Sequence, residues 1–491
     1  MCRSPICVAG STVSELSERL AVYGGAGYIM APADHGKTYL IAEVASHHEK
    51  RRLILTHTYS GVNALRRKLR ELGVADSRFH VDTIASWSLR LALAYTQTSG
   101  WAVERPSGDE WNALYNATSA LLDCEFMRRI LRTSYIGVCI DEYQDCSVSQ
   151  HNIVLKLARD LPCCVFGDPL QGIFEFDGQD PIDWRRDVEG NFELLEELEE
   201  PFRWKLAGAQ PLGDWLSGVR ENLENGRAVD LRLGRPANVT LRLAQDENEL
   251  IQVQRNICRY FDCGPQETVI AIHKGSQEYK ARCHTLARNL GGRYSSIEEI
   301  EGRELFLFLR RLEGAITDAD RLRHLISFAA KCMTAVEASL AAGTRRGERV
   351  VIRANTRNPE VAQKGNDFLD IPDSRQMLSF LMALENVAAV NVVREDLFNR
   401  LLGVLRKHIL YPAIGLAEAA EKYHSEFRYK GRPVRRRRII GTTLLVKGLE
   451  YDHAIVLDAS SLSRKELYVA LTRGAQTLTI VSTRPVLNPD L

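Results

Sequence analysis

The sequence predicts an α/β protein with two parallel sheets, the first of them carrying a phosphate-binding loop. Three observations predict it. Short, nearly continuous apolar runs (Gly27-Tyr28-Ile29-Met30, Leu53-Ile54-Leu55-Thr56, Ile136-Gly137-Val138-Cys139-Ile140 and Cys163-Cys164-Val165-Phe166) alternate with helical patterns up to about residue 205. Strands apolar on both faces belong in a sheet covered by helices on both sides. A second series begins at Glu267-Thr268-Val269-Ile270-Ala271-Ile272, resumes at Ile439-Ile440-Gly441-Thr442-Thr443 and Ala454-Ile455-Val456-Leu457, and closes with Leu478-Thr479-Ile480-Val481. Between the first run and the helical pattern after it lies Ala31-Pro32-Ala33-Asp34-His35-Gly36-Lys37-Thr38, a small residue and, after four intervening residues, Gly-Lys-Thr.

Taken in chain order, residues 1–87 and 133–205 read as the first α/β body. Residues 88–132, rich in helix formers and holding Trp101 and Trp111, read as a small helical insertion in it. The second body reads as 206–304 and 430–491, interrupted by a helical stretch at 305–429 with little strand signal. A length of 491 residues suits a few domains of ordinary size. No internal repeat or low-complexity segment is evident. The charge run Arg435-Arg436-Arg437-Arg438 is either a solvated lead-in to a strand or a phosphate-contact patch.

Composition narrows the class. Hydrophobic residues make up 45% and charged residues 26%, as in an ordinary globular protein. The net charge of +1 provides no global positive field, so a nucleic-acid partner would have to be held by a local basic groove. The eleven cysteines are an odd number without a CxxC pair, and the spacing of Cys258 and Cys263 fits no common zinc or iron–sulfur site. Reduced thiols in a cytoplasmic protein are the expectation. Arg3, Glu15, Glu18 and Arg19 interrupt any signal-peptide core, and no apolar stretch reaches the ~18 residues that span a bilayer. No membrane partner is expected.

The motifs describe a nucleotide-hydrolysing site. A Gly-Lys-Thr loop between a strand and a helix lets backbone N–H groups and the helix N-terminus cradle phosphates. Ala31 to Thr38 would hold the nucleotide, with Lys37 reaching the β- and γ-oxygens and the Thr38 hydroxyl on Mg²⁺. Asp141 and Glu142 close the apolar strand at Ile140. The first carboxylate there can complete the magnesium site, and the second can activate the attacking water as general base. Gln144 and Gln171 carry neutral amides that can sense a γ-phosphate and lose that partner on hydrolysis, the layout of a motor. A lone loop glutamine is otherwise a surface residue. Phe174 and Phe176, two apart just beyond Gln171, either stack on unpaired bases or serve as strand core.

These segments resemble superfamily 1 DNA helicases of the UvrD/Rep/PcrA type. Asp141-Glu142-Tyr143-Gln144-Asp145 is similar to the family's DExQD box, and Gly167-Asp168-Pro169-Leu170-Gln171-Gly172-Ile173-Phe174-Glu175-Phe176-Asp177-Gly178 to its GDxxQSIYxFRG segment. Val81-Asp82-Thr83-Ile84-Ala85-Ser86-Trp87 is similar to a DNA-contacting segment, and Glu200-Pro201-Phe202-Arg203 takes the place of the N-Y-R element. Thr442-Thr443-Leu444-Leu445-Val446-Lys447-Gly448-Leu449-Glu450-Tyr451-Asp452 and Leu467-Tyr468-Val469-Ala470-Leu471-Thr472-Arg473 are similar to two later elements. The resemblance implies two RecA-like P-loop domains with reduced helical insertions. It implies ATP and Mg²⁺ as ligands, and 3′-to-5′ movement on single-stranded DNA. Arg203 and Arg473 would be arginine fingers from opposite sides of a cleft, Phe202 would pack on adenine, and Gln171, Gly448 and Glu450 would couple hydrolysis to domain movement. Thr56, His57, Thr83, Phe174 and Phe176 would face DNA.

The departures from the pattern bear mainly on the DNA track. No glutamine lies between Ser11 and Gly25 to read adenine, which leaves the preference for ATP over other nucleotides open. His57 stands where the family stacks a phenylalanine, and it either stacks or ends a strand. Asp177 replaces an arginine, and Ala85 and Leu444 replace histidines. The spans from Trp87 to Asp141 and from Arg203 to Thr442 are short for the family, and little chain follows Arg473, so no fused C-terminal nuclease is expected. In size the chain resembles the helicase-like partner of two-gene anti-phage systems such as Gabija, whose nuclease is a separate chain. Two functions follow: an ATP-dependent translocase on single-stranded DNA in repair or phage defence, or a regulatory subunit that senses nucleotide and DNA ends for a nuclease.

Overall fold

A computed structural model describes residues 13–174, 180–299, 302–430 and 436–488. The chain divides into two compact units. One comprises the residues through Val229 with Ser463–Gln476, the other Asp230–Leu462 with Thr477–Pro489.

The first unit is built on a six-stranded sheet: β1 (Ala26–Met30), β2 (Arg52–Thr56), β3 (Phe79–Thr83), β4 (Val138–Ile140), β5 (Cys163–Gly167) and β6 (Glu193–Glu197), in the order β3-β2-β4-β5-β1-β6. All neighbouring strands run parallel. The register sets Met30 beside Gly167, Ile140 beside Val165 and Leu55, and Thr56 beside Thr83. The carboxyl ends of the strands therefore fall along one edge, where open parallel sheets bind ligands. Helices cover both faces, since β2, β4 and β5 are buried at every position. One face packs on Leu40, Ile41, Leu65 and Leu69, the other on Trp87, Tyr115, Ile153 and Leu157. Between β3 and β4 the chain is helical at Ile84–Ala94, Thr96–Ser99, Glu110–Leu121 and Glu125–Ser134, with Ala92, Trp101 and Leu114 forming a small core of their own.

The second unit carries another six-stranded sheet: β7 (Val239–Leu243), β8 (Val269–His273), β9 (Ser295–Ser296), β10 (Arg438–Thr442), β11 (Tyr451–Val456) and β12 (Gly474–Ser482, in this unit from Thr477), in the order β9-β10-β8-β11-β12-β7. Pairings of β8 with β10 and β11, of β9 with β10, and of β7 with β12 are parallel. From Arg303 to Lys430 the chain is helical, around a separate core that includes Leu309, Leu325, Phe368, Phe380, Phe398 and Leu401. The two-sheet α/β architecture is the one the apolar runs predict. Among the described residues no helix is long and apolar enough to cross a membrane, and the cysteines form no disulfide.

Candidate nucleotide site

The phosphate loop turns directly off the carboxyl end of β1. Ala31 N donates to Gly167 O at 2.9 Å, which ties the loop to the neighbouring β5. Two residues take left-handed backbone, Asp34 at φ 69° and Gly36 at φ 81°. A Cβ at Gly36 would stand 3.2 Å from the Phe202 ring, so the close approach and the positive φ both call for glycine. The helix Lys37–Ser46 begins immediately, and Gly36 gives it no side-chain cap. Its first N–H groups are thus left to an anion, as phosphate binding at a helix N-terminus requires. His35 Nδ1 pairs with Ala33 O at 2.7 Å, and burial lowers the pKa of its imidazole. Thr38 is partly exposed at the start of the helix.

Asp141 and Glu142 follow β4 at the same edge. Asp141 N donates to Leu55 O at 2.8 Å, Glu142 N donates to Asp141 Oδ1 at 2.9 Å, and Glu142 takes φ 55°. Lys37 Nζ lies 3.2 Å from Asp141 Oδ1 and also bonds Glu142. Burial alone would lower the lysine pKa, but the two carboxylates outweigh it and hold the ammonium charged. Asp141 is shifted the other way. Burial raises its pKa, Lys37 pulls it down and the Glu142 charge adds to the rise. A buried carboxylate with a raised pKa, beside a second carboxylate, gains from another cation. Together with the uncapped helix and the strained turn, it makes the site fit a magnesium–nucleotide ligand.

From this pair a chain of hydrogen bonds runs round the loop. Gln144 Nε2 donates to Glu142 Oε2 at 2.6 Å, and Gln144 Oε1 accepts from Asp168 N at 3.0 Å. Gly167, between β5 and Asp168, has no room for a Cβ, which would stand 2.8 Å from Gln144 Oε1. The Asp168 carboxylate takes Gln171 Nε2 at 2.9 Å and Arg220 Nη1 at 2.9 and 2.8 Å. Arg220 Nη1 also donates to Tyr468 Oη at 3.0 Å, and the same oxygen accepts from Ala33 N, in the phosphate loop, at 3.2 Å. Burial raises the pKa of the tyrosine. Arg220, also buried, is held charged by Asp168, which outweighs the cost of desolvation. The circuit thus leaves the loop at Lys37 and returns to it at Ala33.

Arg203 joins from another side. Its guanidinium pairs with Asp34, and its Nη1 donates to Thr472 O at 3.0 Å. Trp204 Nε1 donates to Gly474 O at 2.9 Å. Arg473 is buried, with Nε on Val469 O at 2.9 Å and Nη2 on Thr472 Oγ1 at 3.0 Å. Lys37, Asp141, Glu142, Gln171, Arg203, Phe202 and Arg473 all lie in the first unit, while Gly448 (φ 75°) and the exposed Glu450 lie in the second.

Among the candidate DNA residues, Thr83 and His57 make contacts within the protein. Thr83 is buried and caps the helix Ile84–Ala94 by accepting from Ser86 N at 3.0 Å. His57 Nε2 lies 3.4 Å from Cys146 Sγ, and Thr56 is buried at the end of β2. Phe174 is half-buried, and Phe176 lies outside the described residues. Arg220 and the Tyr468 hydroxyl are the site residues that sequence reasoning missed. An arginine on the amphipathic helix Gln210–Glu224 reads as a solvated face, and only the fold brings it to Asp168.

Comparison with known proteins finds a family match over part of the chain. Residues 109–183, which contain β4, the Asp141–Asp145 box, β5 and Gln171, match the UvrD/REP helicase N-terminal domain. Over this segment the chain is similar to UvrD/REP helicases. No curated protein matches the sequence. Solved structures similar to this chain include Pif1 helicase from Candida albicans, at 10% identity and a TM-score of 0.40, covering 98% of this chain and 96% of that one. An arterivirus nonstructural protein 10 helicase in complex with DNA is similar at 9% identity and a TM-score of 0.33, covering 96% of this chain. This chain spans 64% of that helicase's length.

Proposed function

We propose that the chain is a DNA-dependent ATPase of the helicase type, an ATP-driven translocase on single-stranded DNA with the 3′-to-5′ sense of the UvrD family. The carrying observation is the partly buried Lys37–Asp141–Glu142 cluster beside an uncapped helix N-terminus, at the carboxyl edge of the first sheet. Thr38 and Asp141 would hold Mg²⁺, which when bound neutralises phosphate charge and leaves the γ-phosphoryl group open to water. The chain's own residues do the rest. Lys37 places a fixed cation on the phosphate oxygens, and the Glu142 carboxylate takes a proton from the attacking water. Gln144 fixes the direction of that carboxylate through its 2.6 Å bond. Arg203, aimed by Asp34, and Arg473 supply positive charge as it develops on the transferring group. Gln171, Gly448 and Glu450 would transmit the change, and the two sheet units, with helical segments at 88–132 and 305–429, would be the two RecA-like domains.

Steady-state phosphate release by Lys37→Ala and Glu142→Gln tests this reading. Both variants should lose turnover by about 10²-fold or more. Only the second should still bind nucleotide. Normal turnover in Glu142→Gln would remove the general-base assignment.

A second reading is favoured by Thr83 and His57, whose polar atoms are engaged within the protein. In it the chain senses nucleotide and DNA ends for a separate nuclease, as in a two-gene defence system, with little motor activity. Hydrolysis indifferent to DNA, together with co-purification of a nuclease, would favour it.

A further inference from the structure

The second unit holds a basic pocket away from the edge where ligands of parallel sheets sit. Three loops build it at the amino-terminal ends of neighbouring strands. Gly264 and Glu267 precede β8, Arg293 precedes β9, and Arg436 and Arg437 lead into Arg438, the first residue of β10. The cavity has a volume of about 250 Å³. Four guanidiniums line it, and Glu267 is the one carboxylate among the described lining residues. Glu267 is already engaged, taking Gly264 N at 2.5 Å and His453 Nε2 at 3.1 Å.

The arginines are placed without being neutralised by these contacts. Arg293 Nη2 donates to Phe261 O at 3.2 Å and Arg438 Nη1 to the same oxygen at 3.1 Å. Arg437 Nη2 donates to Gln266 Oε1 at 2.8 Å, and Arg436 Nη1 to Gly292 O at 2.9 Å. The Arg438 guanidinium also lies 5.8 Å from the Tyr294 ring centre. Among the described residues Arg436 alone of the four has a carboxylate partner, Glu395. Carbonyls and an amide fix geometry but cancel no charge. Crowded cations repel one another, whereas planar forks held in place match phosphate oxygens with little ordering cost.

We propose that this pocket is a binding site for phosphate oxyanions, separate from the nucleotide site. A cavity of this volume takes one or two phosphate groups, from a nucleic-acid backbone passing over it or from a small phosphorylated ligand. The proposal stands on the second unit alone and does not depend on the activity of the first.

The test uses Arg293→Glu/Arg437→Glu in the full chain, with Arg293→Lys/Arg437→Lys as the charge-keeping control and Arg310→Glu/Arg311→Glu as a reversal elsewhere on the same unit. Binding of a labelled single-stranded oligonucleotide is measured across a salt series. Binding of inorganic pyrophosphate is measured calorimetrically in a Lys37→Ala background, which silences the phosphate loop. The glutamate pair is expected to weaken one of these ligands at least tenfold, with the lysine pair close to wild type and basal ATP hydrolysis unchanged. A lost oligonucleotide interaction, with the slope of log K against log salt smaller by roughly 1.5, assigns the site to a nucleic-acid backbone. A lost pyrophosphate interaction with the oligonucleotide unaffected assigns it to a small phosphorylated ligand. If neither ligand responds, or the Arg310/Arg311 reversal weakens binding equally, the pocket is not a phosphate site.

Discussion

Glu142 takes left-handed backbone at φ 55°, with its carboxylate held by Lys37 on one side and Gln144 on the other. A non-glycine residue in that region costs of order 1–3 kcal/mol and persists where its surroundings impose it. Gln144→Ala should therefore reduce turnover while leaving nucleotide affinity near wild type, because the amide orients the base and is not placed on the loop. Unchanged phosphate release would show that Glu142 needs no such support. Arg220 presents a different balance. Its removal leaves Asp168, fully buried, without its cation, so Arg220→Met should destabilise the first unit by about 3–5 kcal/mol. Adding Asp168→Asn should recover much of that loss in a denaturation-based double-mutant cycle. Additive losses would mean the two act independently. Lys37, Asp141 and Glu142 were legible because their spacing is tied to a strand end and a helix start. The Arg220–Tyr468 bond was not, since it joins residues 248 apart in sequence, and the Leu467–Arg473 segment that holds Tyr468 does not point to an arginine on a distant helix.

At the scale of elements, the apolar runs located the inner strands and failed at the edges. β3, β6, β7 and β9 are the four outer strands of the two sheets, and none appears as a continuous apolar run. An inner strand is covered on both faces and sides, so it needs apolar residues throughout. An edge strand need bury only part of itself and is often charged to discourage further pairing. β6 reads Glu-Leu-Leu-Glu-Glu, with Leu194 51% exposed. β7 carries Thr240 and Arg242, and β9 is only Ser295–Ser296. The loop from β1 into its helix was legible, and its tolerance can be tested. Gly36→Ala would force a Cβ into left-handed backbone and against the Phe202 ring, so nucleotide affinity should fall roughly tenfold. Titration with a fluorescent nucleotide checks it, and wild-type affinity would show that the turn is relaxed.

For the molecule as a whole, buried and half-buried histidines set a pH dependence of stability. Burial lowers His273 and His284 to about 3 and His80 to about 4, with nearby arginines adding to the effect. Each is neutral when folded and must charge as the chain unfolds in acid. For a base with a depressed folded pKa, stability is fully present above the unfolded value near 6.5 and is lost as pH falls toward the folded value. At pH 5 His273 and His284 each cost about 2 kcal/mol relative to neutral pH, and the more exposed His80 less. The thermal midpoint should drop between pH 7 and 5, and His273→Gln should flatten that drop. An unchanged slope in the variant would place the acid sensitivity elsewhere.

The most direct test of a motor is phosphate release by purified protein, measured with ATP alone and with single-stranded DNA of increasing length. A translocase restarts less often on a longer strand, so turnover should rise with length and then saturate, and Glu142→Gln should abolish it. Turnover that ignores DNA at every length would contradict translocation and leave the hydrolytic site as a switch.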